Sequence, residues 1–286
     1  MLEEQTLEAA YGRIACLRNA SAPADAPRVL ALHGWLDNAA SFIPLAAHLP
    51  PLDLVAIDLP GHGRSMHLPA GGIYTMEAAV HAVLDAADAL GWQRFALLGH
   101  SMGAGIASVL AAAVPERIER AVFIEALGAL PERPERTASR LRESVAAMRA
   151  VNGERLRVFA DMQPAIAARM RANALSEAAA TLLVERGVRA VSGGFVWSSD
   201  PRLLAQTFLR PTDAQVEDIV RGITCPTLVL FAEPAQPYLP DPVRRRYAAC
   251  LPDGRLHVLP GSHHLHMEAP AEIAALMAHF LVQPPA

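Results

Sequence analysis

The stretch RFALLGHSMGAG, residues 94–105, decides the fold. It places a G-x-S-x-G pattern, centred on Ser101, between an apolar run and a helix-forming run (AGIASVLAAAV, residues 104–114). A strand, a sharp turn and a helix in this order lift a serine Oγ out of the edge of a sheet. Glycines at positions 99 and 103 fit so tight a turn, and the helix N-terminus favours negative charge nearby. The pattern therefore predicts that Ser101 is a nucleophile in a strained backbone conformation.

Short apolar runs alternate with helical patterns on both sides of this turn, which is typical of a mostly parallel sheet flanked by helices. A helical pattern starts at Ser41, a plausible N-cap, and another ends before Gly91. We expect a final helix over Ala271–Leu281 and an antiparallel hairpin in LEAAYGRIACLRN, residues 7–19. The expected buried strands are RVLALHG (28–34), LDLVAIDLPGHG (52–63), RAVFIEALG (120–128), CPTLVLFA (225–232) and RLHVLPG (255–261).

The alternation breaks between residues 131 and 218, which are rich in Arg, Ala and Glu and contain no convincing strand. We therefore predict a helical cap inserted at 131–218 between two parts of an α/β core, 1–130 and 219–286. Apolar residues of this cap could line a pocket, although each is more often ordinary core: Met148, Phe159, Met162, Phe195 and Trp197.

Composition excludes several classes of function. The net charge of −4 and the lack of a Lys/Arg run argue against nucleic-acid binding. No segment reaches the ~20 apolar residues that span a bilayer, and the acidic N-terminus lacks the features of a signal peptide. Three widely spaced cysteines (Cys16, Cys225 and Cys250) are typical of reduced thiols, so we expect a cytoplasmic protein. Nothing in the sequence calls for a cofactor.

An acyl-transfer site needs two backbone N–H groups for its oxyanion. One is expected from Met102, the residue after the serine, and the other from Trp35 in the HGW loop, whose indole would wall the acyl pocket. The turn DLPGHGRS (58–65) is interpreted as structural. For His62, a loop histidine is the preferred interpretation and a pocket residue is the alternative.

The general base is expected in PGSHHLHMEAP, residues 260–270, which follows the last strand and reads as a loop. Three histidines compete for the role: His263, His264 and His266. A metal site is disfavoured here, since the segment contains no helix-borne HExxH motif and no cluster of acidic ligands.

Four motifs together resemble the α/β-hydrolase superfamily, and its serine hydrolase-like branch most of all: HGWLDN (33–38), AIDLPGHGRS (56–65), LGHSMGAG (98–105) and GSHHLHMEAP (261–270). The resemblance covers residues 30–130 and 225–281 and is weak in the cap. It implies serine chemistry on an α/β-hydrolase fold. In the family's G-x-x-H-x-x-x-x-E pattern, the count back from Glu268 makes His263 the base; His264 stays open through a shift of one residue.

The sequence departs from the family at the triad acid. Many relatives place an Asp in a G-x-x-D turn after the strand that matches CPTLVLFA, and here that position is Ala235. Some relatives place a Glu one strand earlier, which corresponds to Glu125 at the end of RAVFIE. A lone carboxylate is costly to bury, so Glu125 is the preferred acid, with Glu233 as the alternative.

The expected function is hydrolysis of a small-molecule carboxylic ester or thioester through an acyl-enzyme on Ser101. Dehalogenases and epoxide hydrolases of this fold use an Asp nucleophile, and here the position is a serine. Two alternatives remain: C–C bond hydrolysis or a lyase step at the same site, and a ligand-binding member of the fold without catalysis.

Overall fold

The structure is a computed structural model that describes residues 2–151 and 157–283. The strands within these residues are β1 (Leu2–Ala9), β2 (Gly12–Asn19), β3 (Arg28–Leu32), β4 (Asp53–Ile57), β5 (Phe95–His100), β6 (Ile118–Ile124), β7 (Val188–Val191), β8 (Gly194–Trp197), β9 (Thr227–Glu233) and β10 (Gly254–Pro260). Eight of them form one sheet in the order β1-β2-β4-β3-β5-β6-β9-β10, and β7 and β8 form a separate hairpin.

The sheet is parallel from β4 to β10, and its N-terminal hairpin is antiparallel. β1 pairs with β2 in the predicted antiparallel hairpin, and β2 then pairs antiparallel to β4. The other neighbours, β4·β3, β3·β5, β5·β6, β6·β9 and β9·β10, pair in parallel. The carboxyl ends of the parallel strands therefore meet along one edge, where ligands bind in sheets of this kind.

Helices cover both faces of the sheet. The helices of the described residues are α1 (Ile43–Ala46), α2 (Met76–Ala89), α3 (Met102–Ala113), α4 (Thr137–Val151), α5 (Gln163–Asn173), α6 (Glu177–Gly187), α7 (Asp213–Arg221), α8 (Asp241–Ala248), α9 (Leu265–Glu268) and α10 (Pro270–Val282). None of the helices in the described ranges is both long and apolar enough to cross a membrane.

Strand β3 shows how the alternation of side chains divides the core. Leu30 and Leu32 belong to the apolar cluster that contains residues of α2, α3 and α7. Val29 and Ala31 belong to the cluster that contains residues of α1 and α10. Because successive side chains of a strand point to opposite faces, a run that is buried throughout needs helices on both sides. The α/β fold predicted from the sequence is confirmed.

Three local predictions are wrong. The 131–218 segment contains strands β7 and β8, joined by the two residues Ser192 and Gly193. The N-cap before α1 is not Ser41: a 3₁₀-helix starts at Ala39, and the Asn38 side chain accepts from the N–H of Ala40. The segment after β10 is not all loop, because residues 265–268 form α9.

The division into core and cap stays a prediction. Helix α7 spans the predicted boundary at residue 218, and its Val216 and Val220 belong to the same apolar cluster as Leu110 of α3. The segment from residue 159 to 197 packs in a separate apolar cluster, which includes Phe159, Ile166 and Leu183 together with Met267 of α9.

Candidate active site

Ser101 lies in the sharp turn between β5 and α3. Its φ of 51° and ψ of −117° are a strained conformation for a residue with a side chain. Both flanking glycines are required by sterics. A Cβ on Gly99 would lie 2.5 Å from the Cα of Ala104, and a Cβ on Gly103 would lie 2.0 Å from the carbonyl oxygen of Leu32. The turn has the backbone that the G-x-S-x-G pattern predicts.

Backbone hydrogen bonds align Ser101 with Glu125. The N–H of Ser101 donates to the carbonyl oxygen of Ile124 (2.8 Å), and the N–H of Glu125 donates to that of Leu230 (2.9 Å). The ends of β5, β6 and β9 are thus held side by side. Glu125 itself has a φ of 64°, so the residues just after β5 and β6 both have a positive φ, which is uncommon for residues with a side chain.

His263 joins these two side chains. It follows β10, and its Nε2 lies 2.9 Å from Ser101 Oγ while its Nδ1 lies 2.9 Å from Glu125 Oε2. A carboxylate only accepts hydrogen bonds, so the imidazole N–H is on Nδ1 and donates to Glu125. Nε2 then has a free lone pair, and the hydroxyl of Ser101 donates to it. This arrangement can take a proton from a serine that attacks a carbonyl.

Both oxygens of the Glu125 carboxylate have donors. While Oε2 accepts from His263, Oε1 accepts from the N–H of Ala232 near the end of β9. The side chain is almost fully buried, so these partners offset the cost of burying its charge. The alternative acid, Glu233, is exposed at the end of β9. Of the two predicted candidates, the structure brings Glu125 to the imidazole.

Tyr238 lies beside the imidazole at a half-exposed position. Its ring centroid lies 6.5 Å from that of His263, in an edge-to-face arrangement. Burial and the nearby charge of Glu125 raise the pKa of Tyr238 to about 12, so the phenol stays neutral at cellular pH.

His264 and His266, the other predicted base candidates, point elsewhere. His264 Nε2 lies 3.1 Å from Asp37 Oδ2. The His266 ring is fully buried and packs 4.2 Å from the His100 ring, centroid to centroid. Burial lowers the pKa of His266 to about 3, with a further contribution from His264, so it is neutral at cellular pH.

Asp37 was not singled out from the sequence, although it lies within HGWLDN. It is buried, accepts from His264 and forms an ion pair with Arg169 of α5. Burial would raise the pKa of Asp37, but the hydrogen bond and charge of His264 and the charge of Arg169 hold it well below its usual range. An aspartate that pairs with an arginine 132 residues away leaves no periodic signal in the sequence.

Asp37, His100 and His264 could in principle ligate a metal, because one atom from each lies within 4.8 Å of the others. The Arg169 guanidinium already neutralises the Asp37 carboxylate. A dication beside it would meet an uncompensated positive charge, which makes this group a poor metal site. The absence of a metal from the reaction stays a prediction.

The two predicted oxyanion donors lie at the same edge of the sheet. Met102 is the first residue of α3, where backbone N–H groups have no intrahelical partner. Trp35 follows β3 in the HGW loop, and its indole N–H donates to the carbonyl oxygen of Leu203 (3.0 Å). Among the described residues, neither backbone N–H donates to a protein oxygen. The indole is half exposed, so whether it walls a pocket stays a prediction.

The apolar residues predicted for the cap mostly pack against one another. The rings of Phe159 and Trp197 lie 5.7 Å apart, edge to face, and Phe159 exchanges two backbone hydrogen bonds with Phe195. Met162 and Trp197 pack against the same apolar cluster, which also includes Met267 of α9. For these residues the observed contacts are those of a small core that extends to α9.

Comparisons with known proteins identify the family of this chain. The model of the alpha/beta hydrolase fold family matches residues 27–270. The chain belongs to the α/β-hydrolase family. A serine hydrolase-like protein of Danio rerio is 30% identical over 269 residues, covering 91% of this chain and 82% of that protein. A second, from Dictyostelium discoideum, is 29% identical and covers 90% and 75%.

A solved structure extends the likeness to the full length of this α/β hydrolase. The crystal structure of a hypothetical protein of Pseudomonas aeruginosa PAO1 is 39% identical and covers 99% of both chains, with a TM-score of 0.90. The curated relatives place the chain in the serine hydrolase-like branch and support a hydrolase of the α/β fold. The roles of the individual site residues stay predictions.

Proposed function

We propose that this protein is a serine hydrolase that cleaves a small-molecule carboxylic ester or thioester through an acyl-enzyme on Ser101. The observation that carries the proposal is the position of His263, which is within 2.9 Å of both Ser101 Oγ and Glu125 Oε2. Nucleophile, acid and base occur along the chain as Ser101, Glu125 and His263, which is the order expected in this fold.

In the acylation step, Ser101 Oγ attacks the substrate carbonyl carbon while its proton passes to His263 Nε2. The charge that develops on the carbonyl oxygen is met by the backbone N–H groups of Trp35 and Met102. The imidazolium is stabilised by Glu125 and returns the proton to the leaving alkoxide or thiolate as the bond to it breaks.

Deacylation repeats these steps with water. His263 takes a proton from the water as its oxygen attacks the acyl carbon, and the proton then goes to Ser101 Oγ as the ester bond to the serine breaks. The products are a carboxylic acid and the free enzyme. Every proton transfer in the cycle uses one imidazole nitrogen, Nε2, which is why the N–H must stay on Nδ1.

A fluorophosphonate probe tests the proposal, because it modifies a serine only when that serine is activated as a nucleophile. We expect the wild-type protein to gain one phosphonyl group and Ser101→Ala to gain none. A screen of p-nitrophenyl esters and acyl thioesters of increasing chain length then identifies the acyl group. Labelling without turnover of any ester or thioester would favour C–C hydrolysis or a lyase step, and a folded wild-type protein that does not label would favour ligand binding without catalysis.

We propose a reducing, cytoplasmic location for this activity. Cys16, Cys225 and Cys250 are free thiols, and burial raises the pKa of Cys16 to about 11, which keeps it protonated and unreactive. Cell fractionation with an antibody to the protein tests this; recovery in a secreted fraction would contradict it.

A further inference from the structure

His100 adjoins the proposed nucleophile in the chain and contacts the residue expected to act as base. It is the last residue of β5, is fully buried and directly precedes Ser101. Its Nε2 lies 2.9 Å from the main-chain carbonyl oxygen of His263. The side chain next to the nucleophile therefore binds the backbone of the residue whose imidazole binds the nucleophile.

The chemistry of this contact fixes the protonation of His100. Burial comes first among the causes that hold the pKa of His100 well below its usual range, followed by electrostatic coupling to the neighbouring imidazoles of His266, His264 and His263, so the ring is neutral. A neutral imidazole has one N–H, and a carbonyl oxygen only accepts. The proton is thus on Nε2 and is donated to His263. Nδ1 lies 3.7 Å from Asp37 Oδ2 and has no hydrogen-bond partner among the described residues.

A second contact holds the next residue of the same segment. His264 donates from Nε2 to Asp37 Oδ2, and Asp37 belongs to the loop that contains Trp35. Asp37 is fixed in turn by Arg169. Residues 263 and 264 are therefore held at two points, one from the turn that contains the nucleophile and one from the predicted oxyanion loop.

These two points matter because the segment begins at a residue with little conformational restriction. Gly261 has a φ of 155° and is exposed, so the chain between β10 and α9 is not fixed by its own backbone preferences. The imidazole of His263, however, must meet two partners at 2.9 Å at once. A misplacement of about 1 Å in such an arrangement costs on the order of a hundredfold in rate.

We propose that His100 is a positioning residue, whose Nε2–H holds the main-chain carbonyl of His263 so that the imidazole spans Ser101 and Glu125. The inference rests on the proposed function, since it assigns His100 a part in activating the same serine. His100 itself touches no reacting atom.

Packing alone is the competing explanation, and His266 provides the matched control for it. His266 is as fully buried as His100 and packs against the His100 ring, yet neither of its ring nitrogens has a hydrogen-bond partner among the described residues. If histidines in this cluster only fill space, substitutions at the two positions should have similar effects on the reaction.

The test compares His100→Gln with His100→Asn. The amide nitrogen of glutamine can reach the place of Nε2 and can donate to the carbonyl of His263. That of asparagine lies near the place of Nδ1 and cannot reach the carbonyl. Both variants place one polar amide in the same cavity, so their effects on folding are similar while only one keeps the hydrogen bond. His266→Met is the packing control, and thermal unfolding establishes that each variant is folded.

The readout is the saturation kinetics of fluorophosphonate labelling, which separates probe binding from the rate of phosphonylation. We expect His100→Asn to lower the maximal labelling rate by tenfold to about a hundredfold with little change in the half-saturating probe concentration. His100→Gln and His266→Met should stay within about threefold of wild type.

Two failures can be told apart. A folded wild-type protein that does not label contradicts the proposed function itself. A wild type that labels, together with His100→Asn and His100→Gln variants whose maximal rates are equal, contradicts the positioning role alone. Circular dichroism shows whether both His100 variants unfold. In that case a folded His100→Met variant is used, and the placement of the His263 main chain is followed by the ¹H chemical shift of the His263 Nδ1–H. An unchanged downfield resonance in His100→Met would overturn the proposal.

Discussion

The Nδ1 atom of His263 lies 2.9 Å from Oε2 of Glu125, although the two residues are 138 positions apart in the chain. The same carboxylate accepts from the N–H of Ala232 through its other oxygen. Glu125 thus ties the end of β6 to both β9 and the segment after β10. In this protein a glutamate at the end of β6 reaches the imidazole that, in many relatives, is met by an aspartate after the next strand.

Glu125→Gln should lower kcat by on the order of a thousandfold with little change in KM. A glutamine side chain has one acceptor oxygen for two donors, the Nδ1–H of His263 and the N–H of Ala232, so it cannot satisfy both. Ester turnover and thermal unfolding are measured for both Glu125→Gln and Glu233→Gln. The exposed Glu233 is the control, and a loss of kcat in Glu233→Gln instead would overturn the assignment.

Trp35→Phe should keep kcat within about threefold, because the proposed oxyanion contact uses the main-chain N–H, which the substitution leaves in place. The variant loses the indole donor to the carbonyl oxygen of Leu203. A net loss of about 1 kcal/mol or less in the free energy of unfolding is expected, since the indole is half exposed. Steady-state kinetics with one p-nitrophenyl ester decide the matter; a hundredfold fall in kcat would show that the indole takes part.

Much of the fold could be predicted because buried strands are local patterns. Four consecutive apolar residues in β3 (29–32) and in β5 (95–98) signal burial on both faces. The hairpin of β7 and β8 was missed because its strands have four residues each and follow a helical segment. The Gly193-Gly194 pair is a turn signal that could have revealed it.

The candidate site could be predicted only in part. Ser101 stands in a contiguous motif, whereas the choice of Glu125 and His263 relied on a family resemblance. The contacts of Asp37 with Arg169 and of His100 with His263 join segments more than 130 residues apart. Such contacts depend on how the strand ends and the inserted segment come together, which no local pattern of residues specifies.

Arg186→Met should destabilise the protein by about 3–5 kcal/mol, since it leaves the buried Asp58 carboxylate without its cation. Arg186 Nε lies 3.0 Å from both Asp58 oxygens and joins α6 to the turn after β4. Urea unfolding measures the loss, with the exposed Arg189→Met as control, for which a change below about 0.5 kcal/mol is expected. Equal stabilities of the two variants would show that the ion pair contributes little.

Stability should fall as the pH decreases below about 6.5, because buried histidines are kept neutral in the folded chain. Burial lowers the pKa from 6.5 to about 4 for His33 and to about 3 for His62 and His266. The unfolded chain binds these protons at a higher pH than the folded chain, so acid favours unfolding until the pH reaches the folded pKa values.

His266→Met tests this pH dependence directly, since it removes one of the buried imidazoles that bind a proton on unfolding. The decline in the free energy of unfolding between about pH 6 and about pH 4 should be shallower in the variant by up to about 1.4 kcal/mol per pH unit. Urea unfolding at several pH values gives both slopes. Identical slopes would mean that His266 binds its proton equally well in the folded and unfolded chains.

The most direct test of the central claim is to trap the acyl-enzyme. The protein is mixed with a p-nitrophenyl ester that it turns over, quenched in acid during turnover, and digested for mass spectrometry. The account predicts one acyl group per chain, located on the peptide that contains Ser101, with neither adduct nor turnover in Ser101→Ala. Turnover that persists in Ser101→Ala, or an acyl group on another residue, would contradict it.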